Sequence, residues 1–477
     1  MGVINLDKFY ELTAIHEYNS ERRGLTQSLI KQFLCETNDN FNIFESIVST
    51  SISDTPNNSE TEILKMLFQQ QDSLITSNLS IENVLKYIFL RYGSYEDIFL
   101  EKYNISLHVF VAISTIIFNT YTNRLSQSSC LKPYQFTTKE EYLDNNFIAL
   151  PDDEYIEEWK NISTLYYDEL FEIIVQTEKL AELTSSLTRD EFDTYLELYA
   201  FNLDRIKTEP DLRFREYPLF CYRDKIILIN PLALIQYLPH KMDYLLQKTK
   251  KYRSSKGKEF ENIIFNLFEE IPAKKTIYEN IEYEEFELDC LLNLRRSSWF
   301  IECKSRNISS DSLKGKRNKI QKDIKRAIKE GIEQGERGIA YKNSKYMKKY
   351  GIKNICGIIV VIEGIFPNIR VKPLLPNNAL DNCKHPVCVF NYFDLRTILN
   401  QPDAHLFEDF LIWRSQKNMP IWALDECDYW AFYTRMRNDK HLKEMFKEAQ
   451  DKDVFVPYIS ERFNDKTHVS KLIMEDT

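Results

Sequence analysis

The feature that most constrains the fold lies between residues 257 and 363, where helical and strand patterns follow one another in a fixed order. The predicted elements are a helix over 257–270, strands over 275–283, 286–294 and 298–304, a helix over 318–334, and strands over 354–363 and 386–391. Helix, three strands, helix, strand predicts a compact α/β domain with a mixed central sheet, αβββαβ in order. Helical patterns surround this domain, so the whole chain is predicted to be α+β.

The rest of the chain reads mainly as helix. A length of 477 residues exceeds one ordinary domain. Residues 1–250 carry apolar positions at helical spacing, and a polar stretch over 122–153 suggests a subdivision. The basic, apolar-poor segment from Lys248 predicts a boundary, after which the α/β domain takes 251–400 and a helical tail takes 401–477.

Two local features are predicted within residues 1–250. The segment 217–231 is typical of a β-hairpin around Arg223 and Asp224. The segment 105–118 is strongly apolar, but it is shorter than a bilayer span and contains a histidine. We therefore expect a buried core helix there and no membrane role.

The composition of the chain limits its cellular compartment and its functional class. Nine scattered cysteines without framework spacing indicate a reducing compartment, so we expect a cytoplasmic protein. Only 11 glycines argue against a large glycine-rich nucleotide-binding enzyme. Cys383, His385 and Cys388 have a spacing that zinc sites use, but Cys388 stands in an apolar run with no second pair nearby. A loop beside a strand is favoured there over a zinc site.

Two predicted strands direct charged side chains away from an apolar face. In the second strand the even positions are apolar, so Asp289 is expected on the opposite face. In the third strand Glu302 and Lys304 share the polar face with Phe300, and the core face takes Trp299, Ile301 and Cys303. The short link between the strands suits a hairpin, so Asp289, Glu302 and Lys304 are predicted to converge.

Each flanking helix carries a polar residue on its apolar stripe. At 100° per residue, Glu261 falls inside an apolar arc of about 200°. A carboxylate there is costly unless a cation or a lysine satisfies it. On the second helix Gln321 lies within the stripe formed by Ile320, Ile324, Ala327, Ile328 and Gly331.

Carboxylates that lie close together repel one another and are tolerated best around a hard divalent cation. Oxygen ligands of this kind select Mg²⁺ or Mn²⁺. Such a cation stabilises charge on a phosphoryl oxygen and activates water, and a neighbouring lysine helps to position or deprotonate that water. The convergence of Asp289, Glu302 and Lys304 therefore suits phosphodiester chemistry.

Asp289 followed by Glu302-Cys303-Lys304 resembles the core motif of the PD-(D/E)XK nuclease superfamily, which has the restriction-endonuclease-like fold. The stretch GKEFE, ending at Glu261, is similar to the opening helix of many members. The resemblance covers residues 255–365, and Leu288 departs from it where the family name has proline.

The resemblance implies a role for each matched residue. Gln321 stands where some branches of the superfamily carry a glutamine, and Lys304 is implied to assist the attacking water. The implied catalytic residues are Glu261, Asp289, Glu302, Lys304 and Gln321. The implied metal ligands are Glu261, Asp289, Glu302 and the backbone carbonyl of Cys303.

A strongly basic segment accompanies this motif. Residues 301–350 hold 15 Lys and Arg against 6 Asp and Glu, in a chain with a net charge of −10. Such an excess is typical of a polyanion-binding surface, and on charge alone a solvated helix face explains it equally well. The side chains expected at the phosphate backbone are Lys314, Lys316, Arg317, Lys319, Lys322, Lys325 and Arg326.

The sequence thus predicts a Mg²⁺- or Mn²⁺-dependent endonuclease acting on DNA, in a prokaryotic restriction or anti-phage setting. Residues 1–250 are expected to recognise substrate, a partner protein, a second copy of the chain or an activating signal. RNA as substrate stays open, as do a catalytically inactive DNA-binding or assembly module and a pure interaction scaffold. The plainer interpretation is a same-face salt bridge of Glu302 with Lys304, a solvent-facing Asp289 and a boundary position for Glu261.

Overall fold

The computed structural model describes ten parts of the chain. They are residues 81–128, 153–177, 186–202, 217–229, 231–305, 319, 322–323, 325–363, 383–416 and 426–452. These residues fall into two compact units, and the boundary lies between Gln247 and Lys248. Each unit combines helices with one mixed β-sheet, so the protein is α+β.

The described part of the first unit contains eight α-helices. They are α1 (Ile81–Tyr92), α2 (Glu96–Tyr103), α3 (Leu107–Gln127), α4 (Asp153–Ser163), α5 (Tyr167–Gln176), α6 (Arg189–Tyr199), α7 (Pro231–Gln236) and α8 (Leu238–Leu246). The predicted core helix is confirmed as α3, most of whose apolar residues are buried. It runs to Gln127, so the predicted polar stretch does not begin at Thr122, and 129–152 lies outside the described residues.

Membrane crossing was tested on the described residues. None of their helices is by itself long and apolar enough to span a membrane. One pair, Ile81–Tyr103 with Leu107–Gln127, passes only when the two are joined across a 92° bend.

The first unit also contains a four-stranded sheet, which departs from a mainly helical prediction. Its strands are β1 (Thr164–Tyr166), β2 (Ala200–Phe201), β3 (Leu219–Tyr222) and β4 (Lys225–Leu228), in the order β1-β4-β3-β2. The predicted hairpin is confirmed as β3 and β4, with Arg223 at a left-handed φ of 56° in the turn. Strands as short as β1 and β2 show no alternation that a sequence pattern could reveal.

The second unit follows the predicted order of elements. They are α9 (Lys250–Glu269), β5 (Thr276–Tyr283), β6 (Phe286–Asn293), β7 (Ser297–Lys304), α10 (Glu330–Ala340), β8 (Ile355–Ile362), β9 (Val387–Asn391), α11 (Tyr392–Leu399), α12 (Phe407–Arg414), α13 (Glu426–Met436) and α14 (Lys440–Lys452). A π-helical turn, Lys325–Lys329, precedes α10. The five predicted strands are confirmed to within one residue at each end.

The first helix of this unit begins earlier than predicted. The segment expected to be an irregular boundary forms the opening turns of α9, which starts at Lys250 rather than at Gly257. Tyr252 explains the difference, because its side chain is fully buried and ties these turns to the core. A lone apolar residue among ten polar ones is too weak a pattern to predict a helix.

The five-stranded sheet of the second unit has the order β5-β6-β7-β8-β9. The pairs β5–β6 and β6–β7 are antiparallel, whereas the pairs β7–β8 and β8–β9 are parallel. Strand β7 is therefore the central strand, and its carboxyl end at Lys304 lies beside the end of β8 at Ile362.

Both faces of β7 are covered, which corrects the expectation of one core face and one polar face. Seven of its eight residues are buried, and Phe300 lies in a core cluster with Ile328 and Ile358. A Cβ on Gly338 of α10 would approach the Phe300 ring to 2.8 Å, so α10 covers this face. Helix α9 contacts β7 as well, and the alternate residues, such as Trp299 and Ile301, face its layer.

Helix α10 lies unusually close to the sheet because glycines form its inner face. A Cβ on Gly335 would come within 2.7 Å of Ile358, and one on Gly331 within 3.2 Å of the Lys304 side chain. This close approach is possible only without side chains at these positions. The close approach also brings Gln334, which lies between Gly331 and Gly335, into contact with Lys304 at the end of β7.

Candidate functional site

Glu302 lies near the carboxyl end of β7, and its side chain is fully buried. Its Oε2 accepts a hydrogen bond from the ammonium group of Lys304, with an N–O distance of 3.1 Å. Its Oε1 is buried and has no hydrogen-bond partner among the described residues. Leaving a carboxylate oxygen without a donor costs free energy, and such groups often mark a catalytic or ion-binding role. The predicted same-face salt bridge is thus present, but it does not account for the second oxygen.

Asp289 reaches the same place because the register of β6 with β7 puts it opposite Glu302, although the alternation of β6 is interrupted beside it. The ladder between β5 and β6 skips Asn280 and Asp289. The pairs on either side are Glu279 with Cys290 and Ile281 with Leu288. Asn280 has a left-handed φ of 50°, and the core cluster contains both Leu288 and Leu291, which regular alternation would place on opposite faces. The alternation predicted over 286–294, which Leu291 already interrupts in the sequence, therefore changes face between Leu288 and Leu291, while the predicted convergence of Asp289 with Glu302 is present.

The side chain of Asp289 is directed toward β7. Its Oδ2 accepts a hydrogen bond of 2.7 Å from the backbone N–H of Cys303. Asp289 and Glu302 are consequently neighbours, as the sequence predicted, and Asp289 is half-buried rather than facing solvent.

Burial raises the pKa of both carboxyl groups. The pKa of Asp289 rises to about 6, although the N–H of Cys303 and the charge of Lys304 oppose the effect. The pKa of Glu302 rises to about 8, first because of burial and then because of the negative charge of Asp289. Two adjacent acids whose charged forms are disfavoured are typical of a site that receives a cation or a proton.

Lys304 is held between the strand and α10. Its ammonium group donates to Glu302 and also to Oε1 of Gln334. Only 14% of the lysine side chain is exposed. Two acceptors therefore fix the cation beside the carboxylates, while a small opening to solvent remains.

Glu261 lies within electrostatic reach of the carboxylates but is held elsewhere. Its Oε2 is 3.1 Å from Nζ of Lys258, which also contacts the side chain of Asn280. Its negative charge helps to raise the pKa of Asp289 and of Glu302. The side chain is 23% exposed, so a lysine rather than the core satisfies it.

The chemistry of these donors suits a hard divalent cation, although the set is small. Among the described residues, no group of three or more His, Cys, Asp and Glu side chains could hold a metal ion. Asp289 and Glu302 supply carboxylate oxygens, and Oε1 of Glu302 has no hydrogen-bond partner in the described parts of the chain. With the Cys303 carbonyl implied by the resemblance, the donors are all hard oxygens, as Mg²⁺ and Mn²⁺ prefer.

The thiol of Cys303 takes no part in this arrangement. It is buried, and burial raises its pKa well above the usual value for a thiol. A neutral thiol in this position is inert. Cys303 therefore contributes its backbone, and it separates two charged residues that share a face.

Some predicted site residues cannot be placed. Gln321, Lys314, Lys316 and Arg317 lie outside the described residues, so their roles stay predictions. The remaining predicted phosphate contacts, Lys319, Lys322, Lys325 and Arg326, are all exposed. The last two belong to the π-helical turn, an irregularity often found at functional sites.

Two residues at the site were missed by the sequence interpretation. Gln334 binds Lys304, and its signal is the glycine spacing of α10, which brings that helix against β7. Glu363 is buried just after β8, where its N–H donates to the Lys304 carbonyl over 3.0 Å and its carboxylate accepts from Ser305. Nothing in its immediate sequence distinguishes it from an ordinary residue after a strand.

The cysteine and histidine spacing near residue 385 forms a loop and a strand, as favoured from the sequence. His385 Nδ1 lies 2.7 Å from a carboxylate oxygen of Glu336, and Cys388 is buried in β9. The Cys388 thiol contacts the carbonyl of Leu411 at 3.6 Å. These groups already have partners within the protein.

Comparison of the chain with protein-family models finds no match. Searches of curated proteins and of solved structures also find none. The functional conclusion below therefore depends on the residues and their geometry.

Proposed function

We propose that the second unit is a metal-dependent nuclease with a restriction-endonuclease-like fold, which hydrolyses phosphodiester bonds in DNA. The observation that carries the proposal is a buried oxygen of Glu302, next to Asp289 and Lys304, that accepts no hydrogen bond from any residue the structure describes. The element order α9, β5 to β7, α10 and β8 supports the fold, and Glu261 lies on α9, Asp289 on β6, and Glu302 and Lys304 on β7, in the order that the resemblance implies.

When bound, Mg²⁺ or Mn²⁺ would stabilise charge on a phosphate oxygen and lower the pKa of a water molecule. Asp289 and Glu302 would hold it, together with the Cys303 carbonyl and with Glu261 nearby. In the hydrolysis, the water oxygen bonds to phosphorus, the ester P–O bond breaks, and the leaving oxygen takes up a proton. Lys304, oriented by Glu302 and Gln334, would position the water and offset negative charge.

The surroundings of the site suit a nucleic-acid substrate. The exposed side chains of Lys319, Lys322, Lys325 and Arg326 lead into α10, which contacts Lys304. They would hold the phosphate backbone near the carboxylates. We place the protein in the prokaryotic cytoplasm, in restriction or anti-phage defence, with the first unit recognising a partner, a second copy or a signal.

The test is cleavage of plasmid and single-stranded DNA with Mg²⁺ or Mn²⁺. Asp289→Asn and Lys304→Ala are expected to slow cleavage by roughly 10²- to 10⁴-fold, the range for loss of an acid–base or charge-stabilising group. Glu287→Gln and Lys440→Ala serve as matched controls, because both residues are exposed. The proposal is wrong if the wild type cuts under neither metal, or if all four variants cut equally. If the protein cleaves RNA and leaves DNA intact, the substrate of the proposed nuclease is RNA.

A second candidate function is a DNA-binding or assembly module that has lost catalysis. It is favoured by one observation, the lack of a third carboxylate close enough to complete a metal site among the described residues. Isothermal titration with Mn²⁺ separates the two functions. Binding that disappears in Asp289→Asn supports the nuclease, whereas no binding by the wild type favours the inactive module.

A further inference from the structure

A second basic surface lies at the end of the sheet opposite to the carboxylates. The segment 341–354, between α10 and β8, contains five lysines and three tyrosines but no Asp or Glu. It precedes Ile355, which pairs with Ser297 at the amino end of β7. From Ser297 to Lys304 the strand advances by about 23 Å at 3.3 Å per residue. We call this segment the basic loop.

Four lysines of the basic loop project from it without acidic partners. Lys345, Lys348, Lys349 and Lys353 are exposed, and none of them forms an ion pair with a described residue. The sheet register adds Lys274, just before β5, and Arg295, just after β6, at the same end. Both of these side chains are exposed. An uncompensated cluster of this kind attracts a polyanion.

The backbone of the basic loop is fixed to the sheet. The buried amide of Asn293 donates to the carbonyl of Tyr350 at 2.7 Å, and the N–H of Lys353 donates to Oγ of Ser298 at 2.8 Å. Met347 is fully buried beneath the loop. Its lysines are therefore presented from a preorganised backbone, which lowers the entropic cost of binding.

Aromatic side chains alternate with the lysines. Tyr346 is 38% exposed, with Nζ of Lys345 4.9 Å from the centre of its ring. Lys349 lies 5.0 Å from the ring of Tyr350. Basic side chains interleaved with tyrosines are typical of surfaces that bind nucleic acid, where lysines meet phosphates and an exposed ring meets a base or sugar.

We infer that the basic loop is a second nucleic-acid-binding surface, separate from the residues around the carboxylates. The presence of the surface is independent of the proposed nuclease activity, but its assignment to nucleic acid rests on that proposal. A B-form duplex rises about 3.4 Å per base pair, so 23 Å corresponds to about seven base pairs. The basic loop would hold the same duplex about seven base pairs from the scissile phosphate, or it would hold a separate segment of the DNA.

The test uses fluorescence anisotropy with a labelled 30-base-pair duplex, in EDTA so that no cleavage occurs. The variant K345Q/K348Q/K349Q/K353Q neutralises the loop. The matched control K86Q/K440Q/K443Q/K447Q removes four exposed lysines elsewhere, so both variants lower the net charge of −10 by the same amount. Thermal melting checks that both variants fold.

The loop variant is expected to bind roughly ten- to a hundredfold more weakly than the control near 0.1 M salt. Its slope of log affinity against log salt should be smaller by about 2 to 4, since each phosphate contact contributes about 0.9. Equal affinities of the loop variant and the control would overturn the inference. So would displacement of the duplex by poly-glutamate at equal charge, which would assign the surface to an acidic protein.

The measurement also separates this inference from the proposed function. Cleavage and binding are measured separately: Asp289→Asn, which lies outside the basic loop, reports on cleavage with metal, and the loop variant reports on binding in EDTA. If the wild type never cuts DNA but the loop variant still loses affinity, the nuclease proposal fails and the binding surface stands. If cleavage depends on Asp289 while the loop variant binds like the control, the nuclease proposal stands and the binding surface fails.

Discussion

Replacing Glu302 by glutamine is expected to stabilise the metal-free protein at alkaline pH while abolishing cleavage. The side chain of Glu302 is fully buried, and one of its oxygens lacks a hydrogen-bond partner among the described residues. Its negative charge also faces Asp289, whose own charge raises the pKa of Glu302. An amide of the same shape removes this charge and keeps an acceptor for Lys304.

The magnitude follows from the pKa of Glu302, which rises from 4.5 to about 8 in the folded protein. A tenfold change in a protonation equilibrium is worth about 1.4 kcal/mol, so the cost of ionising this group is on the order of 3–5 kcal/mol. Relaxation of the protein around Glu302 reduces this ionisation cost. We therefore expect E302Q to gain about 2–4 kcal/mol in the free energy of unfolding. For a domain of this size that raises Tm by roughly 4–16 °C.

The gain depends on pH with a definite sign. Below pH 4.5 the carboxyl group of Glu302 is protonated in both the folded and the unfolded chain, so it costs nothing. As pH rises toward 8, the unfolded chain ionises first, and the wild type loses stability relative to E302Q. Above pH 8 the difference in the free energy of unfolding reaches its full value.

Guanidinium unfolding of both proteins in EDTA, followed by tryptophan fluorescence between pH 5 and 9, measures this difference. Trp299, Trp413 and Trp430 all report on the second unit. Glu287→Gln makes the same charge change at an exposed position of β6 and should shift stability by less than about 0.5 kcal/mol. A variant E302Q that is no more stable than the wild type at pH 8.5, or a gain that is independent of pH, would refute the electrostatic reasoning.

Two other predictions concern the metal and the packing of α10. Mg²⁺ or Mn²⁺ at millimolar concentration should stabilise the wild type by about 1–3 kcal/mol at pH 8, and EDTA should reverse the effect. The melting curves of E302Q and Asp289→Asn should not change. Equal shifts in all three melting curves would contradict a metal site at these carboxylates. Gly335→Ala should lower the free energy of unfolding by about 1–3 kcal/mol, because its Cβ would lie 2.7 Å from Ile358. Gly93→Ala is the matched control, since nothing lies within 4 Å of the added atom, and an equal loss there would show that close packing is not the cause.

Strand order and the placement of Glu302 and Lys304 were predictable because they depend on local pattern. An alternating segment, a short apolar run ending in Glu302 and Lys304, and two longer apolar runs define the strands β6 to β9, and a period of two puts Glu302 and Lys304 on one face. That inference needs no knowledge of what covers either face. It therefore survives although α9 and α10 bury both sides of β7.

The remaining geometry depends on contacts between distant residues. The change of face between Leu288 and Leu291 accompanies a left-handed conformation of Asn280 in the neighbouring strand, and no pattern within β6 reveals that conformation. The contact of Gln334 with Lys304 depends on how closely α10 approaches β7. Tertiary packing decides both features, and local periodicity records only the average environment of each residue.

The glycine face of α10 has a consequence for how this site can change over evolution. Gly331, Gly335 and Gly338 meet side chains of β7 and β8 directly, so a shift of the helix by one residue would bring its bulkier side chains into collision with the sheet. The helix therefore has a single permitted register. Because Gln334 lies on it and the basic turn Lys325–Lys329 precedes it, the spacing between Lys304 and this basic turn is constant. Surface residues of that turn can then vary without moving Lys304 relative to Glu302 and Gln334.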